Sequence, residues 1–262
     1  GLTGFVWVED GRVVGNVTLS RVNPDSGRWH ISNVAVRDAY RGRGIGRQLV
    51  EAAIDLARGR GGEWAILQVR QDNAHAMRIY ERLGFAGLYS TVEMERAGRF
   101  APDLPPQTVE GYRLRDWRPN EWRRAYDLAL DTTSEMERWV RGIDVSEFRR
   151  PALRRLGDAI SNFFDGGRSW RVGLEKGQEM AGALLVCWCG GEARGSLNIT
   201  VRPAHRGHVE PWLVQHGLAL LGWRAGRPLR SELPATHTDG VAALAAAGFR
   251  EKRTLLTMRL PL

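Results

Sequence analysis

The two halves of this 262-residue chain carry the same short motifs in the same order. Each motif of the first half recurs about 165 residues later. The matching segments are Val36-Arg37 with Val201-Arg202, Arg41-Gly42 with Arg206-Gly207, and Gly84-Phe85 with Gly248-Phe249. Because the motifs keep both order and spacing, the pattern predicts two copies of one fold rather than chance similarity.

A short segment without periodic apolar residues separates the copies. Its sequence, AGRFAPDLPPQTVEG, contains three prolines and little that could be buried, which is typical of a linker. We therefore predict a first domain at residues 1–97, a linker at 98–111 and a second domain at 112–262.

The first copy alternates between strand and helix patterns. Hairpin signals and apolar spacing predict its elements in this order: strands Phe5–Glu9, Arg12–Arg21 and Trp29–Val36, a helix Gly46–Arg58, a strand Trp64–Val69, a helix Ala74–Leu83 and a last strand pair ending near Arg96. This order predicts an α/β fold with α+β character, in which helices cover a mixed sheet.

The second copy has a long segment ahead of its hairpin. We predict a strand at Tyr112–Asp116 and helices near Asn120–Leu130 and Ser146–Phe164. The first copy has no counterpart of this segment. We therefore expect that the first domain lacks an N-terminal strand and helices, and that Gly1 is not the natural start.

The formal charge of +8 raises the question of nucleic-acid binding. Arginine supplies almost all of this charge, Lys176 and Lys252 being the only lysines, and no run of five or six like charges occurs. This spread favours a solvated basic surface over a nucleic-acid groove. No apolar run is long enough for a membrane span and no targeting segment opens the chain, so we predict a cytoplasmic protein without nucleic-acid or membrane partners.

The two cysteines, Cys187 and Cys189, lie two residues apart in an apolar run. In a strand both would point to one face at a separation poorly suited to a disulfide. We predict free thiols and no metal site.

A glycine-rich loop follows the strand that ends at Val36. Glycines 42, 44 and 46 lead into a helix with no acidic residue in its first turn, and Arg41, Arg43 and Arg47 add positive charge. Free amides at a helix start, together with its partial positive charge, suit a phosphate. The loop does not follow the first strand of a βαβ unit, as a dinucleotide-binding loop does. It also lacks the Gly-Lys-Ser/Thr of a Walker loop.

The loop instead resembles the acetyl-CoA signature of the GNAT acyltransferase superfamily, Arg/Gln-x-x-Gly-x-Gly/Ala, at Arg41, Gly44 and Gly46. The preceding residues 33–36, NVAV, resemble the family's central strand, and DNAHAMRIYERLGF at 72–85 resembles its second motif. The resemblance implies that acetyl-CoA, as co-substrate, contacts Val34, Ala35, Val36, Arg41, Gly42, Arg43, Gly44, Ile45, Gly46, Arg47, Asn73, Ala76 and Tyr80.

Acetyl transfer to an amine needs a proton acceptor for the amine and a proton donor for the thiolate. Tyr80 suits the second task, because a phenol is protonated at neutral pH. Gln68 stands where relatives use glutamate. Because glutamine cannot accept the amine proton, another group must act as the base. His30, at a place resembling the histidine of arylalkylamine acetyltransferases, is the leading candidate, and water or Glu93 is the alternative.

The second copy has lost the loop's features. Aligning the repeats places Val209, Glu210 and Pro211 opposite residues 44–46, Leu244 opposite Tyr80, and His237 opposite Asn73. These changes remove flexibility, an amide donor and the phenol, and they add a charge that repels phosphate. This half is expected to be structural or substrate-shaping, in a tandem arrangement that resembles mycothiol synthase-like acetyltransferases.

The resemblance thus implies an N-acetyltransferase whose partners are acetyl-CoA and a primary amine of a small molecule or peptide. A catalytically weak or inactive acyl-CoA-binding sensor is the alternative, favoured by Gln68. The sequence leaves the acceptor, the acyl chain and the oligomeric state, including a homodimer, open.

Overall fold

The computed structural model describes residues 2–23, 26–98, 108–118, 120–149, 167–192 and 194–262. Contacts divide the chain into two compact units that do not follow chain order. The first unit comprises Gly1–Ser90, Trp139–Arg141 and Leu255–Leu262, and the second comprises Thr91–Arg138 and Gly142–Thr254. This division by contacts differs from the division by sequence repeat, whose boundaries stay a prediction.

The first unit contains a mixed sheet with strands in the order β1-β2-β3-β4-β11. Its strands are β1 (Thr3–Glu9), β2 (Arg12–Arg21), β3 (Arg28–Val36), β4 (Trp64–Arg70) and the part of β11 (Arg250–Pro261) from Leu255 onward. β3 and β4 are parallel, and the other neighbours are antiparallel. The turn at Asp10-Gly11, both with positive φ, closes the first hairpin.

Two helices belong to the first unit, α1 (Ile45–Gly59) and α2 (Ala74–Arg82). The buried residues of α1 recur at helical spacing and so form one apolar face. This is why the segment folds as a helix against the sheet. Its buried residues are Ile45, Leu49, Val50, Ala53, Ile54 and Ala57. They share one hydrophobic core with alternate residues of β3 and β4, among them Ile31 and Leu67.

The second unit contains a sheet in the order β5-β10-β9-β8-β7-β6. Its strands are β6 (Tyr112–Asp116), β7 (Arg168–Lys176), β8 (Glu179–Cys189), β9 (Arg194–Val201), β10 (Leu229–Pro234) and the part of β5 (Ala86–Arg96) from Thr91 onward. β9 and β10 are parallel. Its described helices are α3 (Trp122–Thr132), α4 (Glu135–Arg141) up to Arg138, α5 (Val145–Phe148), α6 (Glu210–Leu221) and α7 (Thr238–Ala246).

The two copies repeat each other down to single hydrogen bonds. Nε of Arg41 donates to the carbonyl of Val36 at 3.3 Å, and Nε of Arg206 donates to the carbonyl of Val201 at 3.1 Å. Gly84 and Gly248 have φ values of 90° and 89°. The α/β prediction with mixed sheets is confirmed.

The structure differs from the prediction at the end of the first copy. Instead of a strand pair ending near Arg96, one continuous strand, β5, runs from Ala86 to Arg96. From Thr91 it pairs with β10, whereas the last strand of the chain, β11, pairs with β4. The two copies therefore exchange their last strands, which local patterns cannot indicate because they do not specify pairing partners.

The helices of the second copy also differ in part. The helix predicted near 120–130 is α3, shifted by two residues, and the sequence prediction missed α4. The helix predicted at Ser146–Phe164 begins as α5, and its residues from 150 onward lie outside the described part of the chain. None of the described helices combines the length and hydropathy that crossing a bilayer requires.

Candidate active site

The glycine loop ends in an uncapped helix start. Gly42 and Gly44 have φ values of 79° and 80°, a left-handed conformation that glycine adopts without strain. Gly44 is the N-cap residue of α1, and having no side chain it cannot cap the helix. The first helical hydrogen bond runs from the Gln48 amide to the Gly44 carbonyl at 3.1 Å. Within the described residues, no backbone acceptor bonds the amides of residues 42–47.

The space in front of the loop is open. A Cβ atom added at Gly42 would meet no atom within 4 Å, and one added at Gly46 would only touch Val36 Cγ2 at 3.6 Å. The loop arginines are exposed, and each pairs with a carboxylate. These pairs are Arg41 with Asp38 at 2.8 Å, Arg43 with Glu9 at 2.8 Å and Arg47 with Glu51 at 2.9 Å. The loop therefore offers unbonded amides to an anion and carries cations at its rim.

β3 separates from β4 just before the loop. The parallel ladder runs from Arg28 opposite Trp64 to Ile31 opposite Leu67, whereas β3 continues to Val36. Asn33 has a φ of 51°, and its carbonyl accepts a hydrogen bond from Asn16 Nδ2 at 2.5 Å. On the β4 side, residues 32–36 have no paired strand among the described residues, so their backbone is available to a ligand.

The helix α2 carries the other residues of the predicted acetyl-CoA contacts. The Asn73 side chain caps this helix by accepting from the Ala76 amide at 3.1 Å. Tyr80 is 8% exposed and meets Phe85 edge-on, with ring centroids 5.9 Å apart. Burial raises the pKa of the Tyr80 phenol above its ordinary value of 10.0, so the hydroxyl is protonated at neutral pH.

His30 lies on the opposite face of the sheet from α1, in a cavity of about 290 Å³. Side chains of paired residues on neighbouring strands point to the same face of the sheet, so several such pairs line the cavity. Ser20 and Ile66 are the register partners of His30, and Thr257 is the register partner of Gln68. The described residues that line the cavity are Ser20, Arg21, Val22, His30, Ile66, Gln68, Tyr89, Val140, Arg141 and Thr257.

The environment of His30 keeps its imidazole neutral. Burial lowers the pKa of His30 below its ordinary value of 6.5, and the positive charge of Arg141 lowers it further. Gln68 donates from Nε2 to Thr257 Oγ1 at 3.3 Å. The alternative base, Glu93, is in the second unit, where it accepts two hydrogen bonds from Arg253 at 2.8 and 2.7 Å, and it does not line the cavity.

The structure groups the predicted residues into two sets. The loop, the end of β3 and α2 share the α1 side of the first unit, whereas His30 lines the cavity. No hydrogen bond joins Tyr80 to His30 among the described residues. The sequence prediction missed Arg141, because it belongs to the unpredicted α4 and only tertiary structure brings it to the cavity.

In the second copy, a glutamate side chain accepts a hydrogen bond from an amide of the corresponding loop. Glu210 Oε2 accepts from the Gly207 amide at 3.0 Å, and its Oε1 lies 2.9 Å from His237 Nε2. Glu210 is fully buried. Burial raises the pKa of its carboxyl, but the hydrogen bond from His237 and those from backbone amides outweigh this, so the net pKa lies below 4.5. A carboxylate of the chain thus stands at the helix start where the first copy is open.

The described residues contain no group of three or more His, Cys, Asp or Glu side chains that could hold a metal ion. In the same part of the chain, neither cysteine forms a disulfide; Cys187 is half-buried and Cys189 is exposed.

Residues 1–85 match the family model described as Acetyltransferase (GNAT) family. An N-alpha-acetyltransferase 30 of Schizosaccharomyces pombe is 36% identical over 84 residues, which cover 31% of this chain and 55% of that protein. A mycothiol acetyltransferase of Corynebacterium glutamicum is 36% identical over 93 residues, covering 35% of this chain and 30% of that protein. The chain therefore spans about half or less of the length of these curated relatives.

Among solved structures, a tandem GNAT protein from the clavulanic acid biosynthesis pathway aligns with 100% of this chain and 83% of its own, with a TM-score of 0.65. A GCN5-related N-acetyltransferase from Sphaerobacter thermophilus aligns with 96% of this chain and 78% of its own, with a TM-score of 0.64. Both are at most 20% identical in sequence, so they show a shared fold: the tandem prediction is confirmed.

Proposed function

We propose that this chain is an N-acetyltransferase that transfers the acetyl group of acetyl-CoA to a primary amine, a proposal supported by the match of its residues 1–85 to the Acetyltransferase (GNAT) family model. The observation that carries this proposal is the open glycine loop beside the separated end of β3. Six consecutive residues, 42–47, have amides without a backbone acceptor among the described residues, at the start of a 15-residue helix.

The residues of the first unit fit acetyl-CoA. The amides of residues 42–47, with Arg41, Arg43 and Arg47 at the rim, would hold the pyrophosphate. The unpaired backbone of Val34, Ala35 and Val36 would hold the pantetheine arm by hydrogen bonds of the kind a sheet makes. Asn73, Ala76 and Tyr80 on α2 would line the thioester end. When bound, acetyl-CoA supplies an activated acyl group with a thiolate as leaving group.

The proton balance of the reaction assigns two roles. An amide N–C bond forms while the thioester C–S bond breaks, so the amine loses a proton and the sulfur gains one. His30, neutral at pH 7, would accept the amine proton. Tyr80, protonated at pH 7, would donate to the sulfur.

The second copy would not take part in this chemistry. Its loop amide at Gly207 already bonds to Glu210, and Leu244 replaces the phenol. We therefore assign acetyl-CoA to the first copy alone, and a structural or substrate-shaping role to the second.

The test is a screen of primary amines with acetyl-CoA, read by mass spectrometry of the products. We expect a mass gain of one acetyl group on at least one amine, dependent on the protein and abolished by Gly44→Val, which places a β-branched residue at a φ of 80°. Binding of acetyl-CoA without transfer to any amine would favour the sensor instead.

A further inference from the structure

Among the described residues, the charged side chains that line the His30 cavity are positive. Of the ten described lining residues, Arg21 and Arg141 carry full charges and none is a carboxylate. An amine acceptor is a cation before it loses its proton, and two guanidinium groups repel it. A cavity built for a simple alkylamine would be expected to carry the opposite sign.

Arg141 differs from the arginines of the glycine loop in having no ion-pair partner among the residues that the structure describes. Arg41, Arg43 and Arg47 each pair with a carboxylate, whereas no ion pair joins Arg141 to any described residue. Its side chain is exposed at the cavity, close enough to His30 to lower the pKa of the imidazole. Its guanidinium thus has donors available for an external anion.

Neighbouring aromatic contacts fix the end of the helix that carries Arg141. The Trp139 ring meets Trp64 edge-on at 5.2 Å, and the guanidinium carbons of Arg28 and Arg259 lie 5.4 and 5.1 Å from its centroid. Val140, which follows Trp139, is 6% exposed and lines the cavity. Because these contacts anchor Trp139, they fix the end of α4 from which Arg141 lines the cavity.

From these observations we propose that the cavity accepts a small amine that carries its own anionic group, a carboxylate or a phosphate, and that Arg141 binds this group. The anion offsets the repulsion between the ammonium and the arginines, and places the amine beside His30. At about 290 Å³ the cavity lies at the lower end of ligand-site volumes, which favours a small molecule over a longer chain.

This inference rests on the proposed acetyl transfer, and it is tested with pairs of amines that differ by the anion. The probes are O-phosphoethanolamine against ethanolamine, and 4-aminobutyrate against n-butylamine. We expect kcat/KM to favour the anionic member by about ten- to a hundredfold, the range of one charged hydrogen-bonded pair. The pair with the larger ratio identifies the anion as phosphate or carboxylate.

Arg141→Gln is the matched variant, with Arg58→Gln as control because Arg58 is exposed at the end of α1. We expect the preference to fall to within about threefold in Arg141→Gln and to persist in Arg58→Gln and Arg141→Lys. Equal rates for both members in the wild type, or a preference that Arg141→Gln leaves intact, would overturn the inference while the acetyltransferase proposal stands.

Calorimetric binding of the same compounds to the CoA-loaded protein separates the two proposals. Preferential binding of the anionic member that is lost in Arg141→Gln, without any transfer, would support the cavity assignment and overturn the transfer. Equal binding of both members would overturn the cavity assignment whatever the turnover.

Discussion

Glu210 and His237, joined across 2.9 Å in the core of the second unit, occupy the positions that the repeat assigns to Ile45 and Asn73 in the first copy. Two positions predicted to contact acetyl-CoA in one copy have thus become a buried polar pair in the other. The carboxylate also accepts from the Gly207 amide at 3.0 Å. The second copy therefore supplies from its own chain the anion that the first copy is proposed to take from acetyl-CoA.

This pair should stabilise the second unit in a pH-dependent way. We expect Glu210→Gln to lower the free energy of unfolding by about 1–3 kcal/mol at pH 7. Because the folded pKa of Glu210 lies below its ordinary 4.5, the carboxylate contributes stability above that pH and loses it as the pH falls through the folded value. Denaturant titrations at pH 7 and pH 3.5 should show the difference shrinking at the lower pH. The exposed Glu232→Gln serves as control, and a difference that stays constant with pH would exclude the ionised pair.

Gly46 tests the amides of the glycine loop. Proline is tolerated in the first turn of a helix, and the second copy has Pro211 at this position, so Gly46→Pro should remove one amide donor with little effect on folding. We expect acetyl-CoA binding to weaken by about 1–3 kcal/mol, measured by calorimetry. Gly46→Ala keeps the amide and adds a Cβ in ordinary contact with Val36, so it should bind nearly as the wild type does. Equal affinity of both variants would place the phosphates elsewhere.

Tyr80 tests the proton donor. Tyr80→Phe keeps the buried ring and removes only the hydroxyl, so turnover should fall at least tenfold while the affinity for acetyl-CoA changes by less than about threefold. Rapid-mixing kinetics and calorimetry give the two quantities. Tyr126→Phe on α3 controls for the loss of a phenol. Unchanged turnover in Tyr80→Phe would remove the residue from the chemistry.

The pH dependence of kcat/KM should change when either His30 or Arg141 is substituted. The base must be unprotonated, so kcat/KM should fall at acid pH with an apparent pKa below 6.5. Since the charge of Arg141 lowers the pKa of His30, Arg141→Gln should move this acid limb to higher pH. His30→Gln should abolish the limb. A limb that stays in place in both variants would assign the proton to water or another group.

The sequence predicted those parts of the fold that depend on local pattern. The apolar spacing from Ile45 to Ala57 and the hairpin at Asp10-Gly11 are local signals, and the structure has the helix and the turn at these places. The glycine spacing likewise predicted a loop whose amides are unbonded. The exchange of β5 and β11 was not predictable, because either strand has the same alternation and the choice of neighbour is a tertiary effect.

The sequence indicated the glycine loop and His30, but not the cavity that His30 lines. Residues 33–47 are contiguous and carry a motif, whereas the described lining of the His30 cavity combines side chains from five strands with Arg141 from a distant helix. No spacing rule connects Arg141 to His30. The sequence also indicated that Glu210 damages the second loop, but not that its carboxylate bonds to the Gly207 amide.

The stoichiometry of acetyl-CoA binding, measured by isothermal titration calorimetry, decides whether the first copy alone binds the co-substrate. The open loop of residues 42–47 and the loop occupied by Glu210 predict one molecule per chain at saturation, weakened by Gly46→Pro and unaffected by Arg206→Ala. A stoichiometry near two, or one site that Arg206→Ala abolishes and Gly46→Pro leaves intact, would contradict the assignment of acetyl-CoA to the first copy.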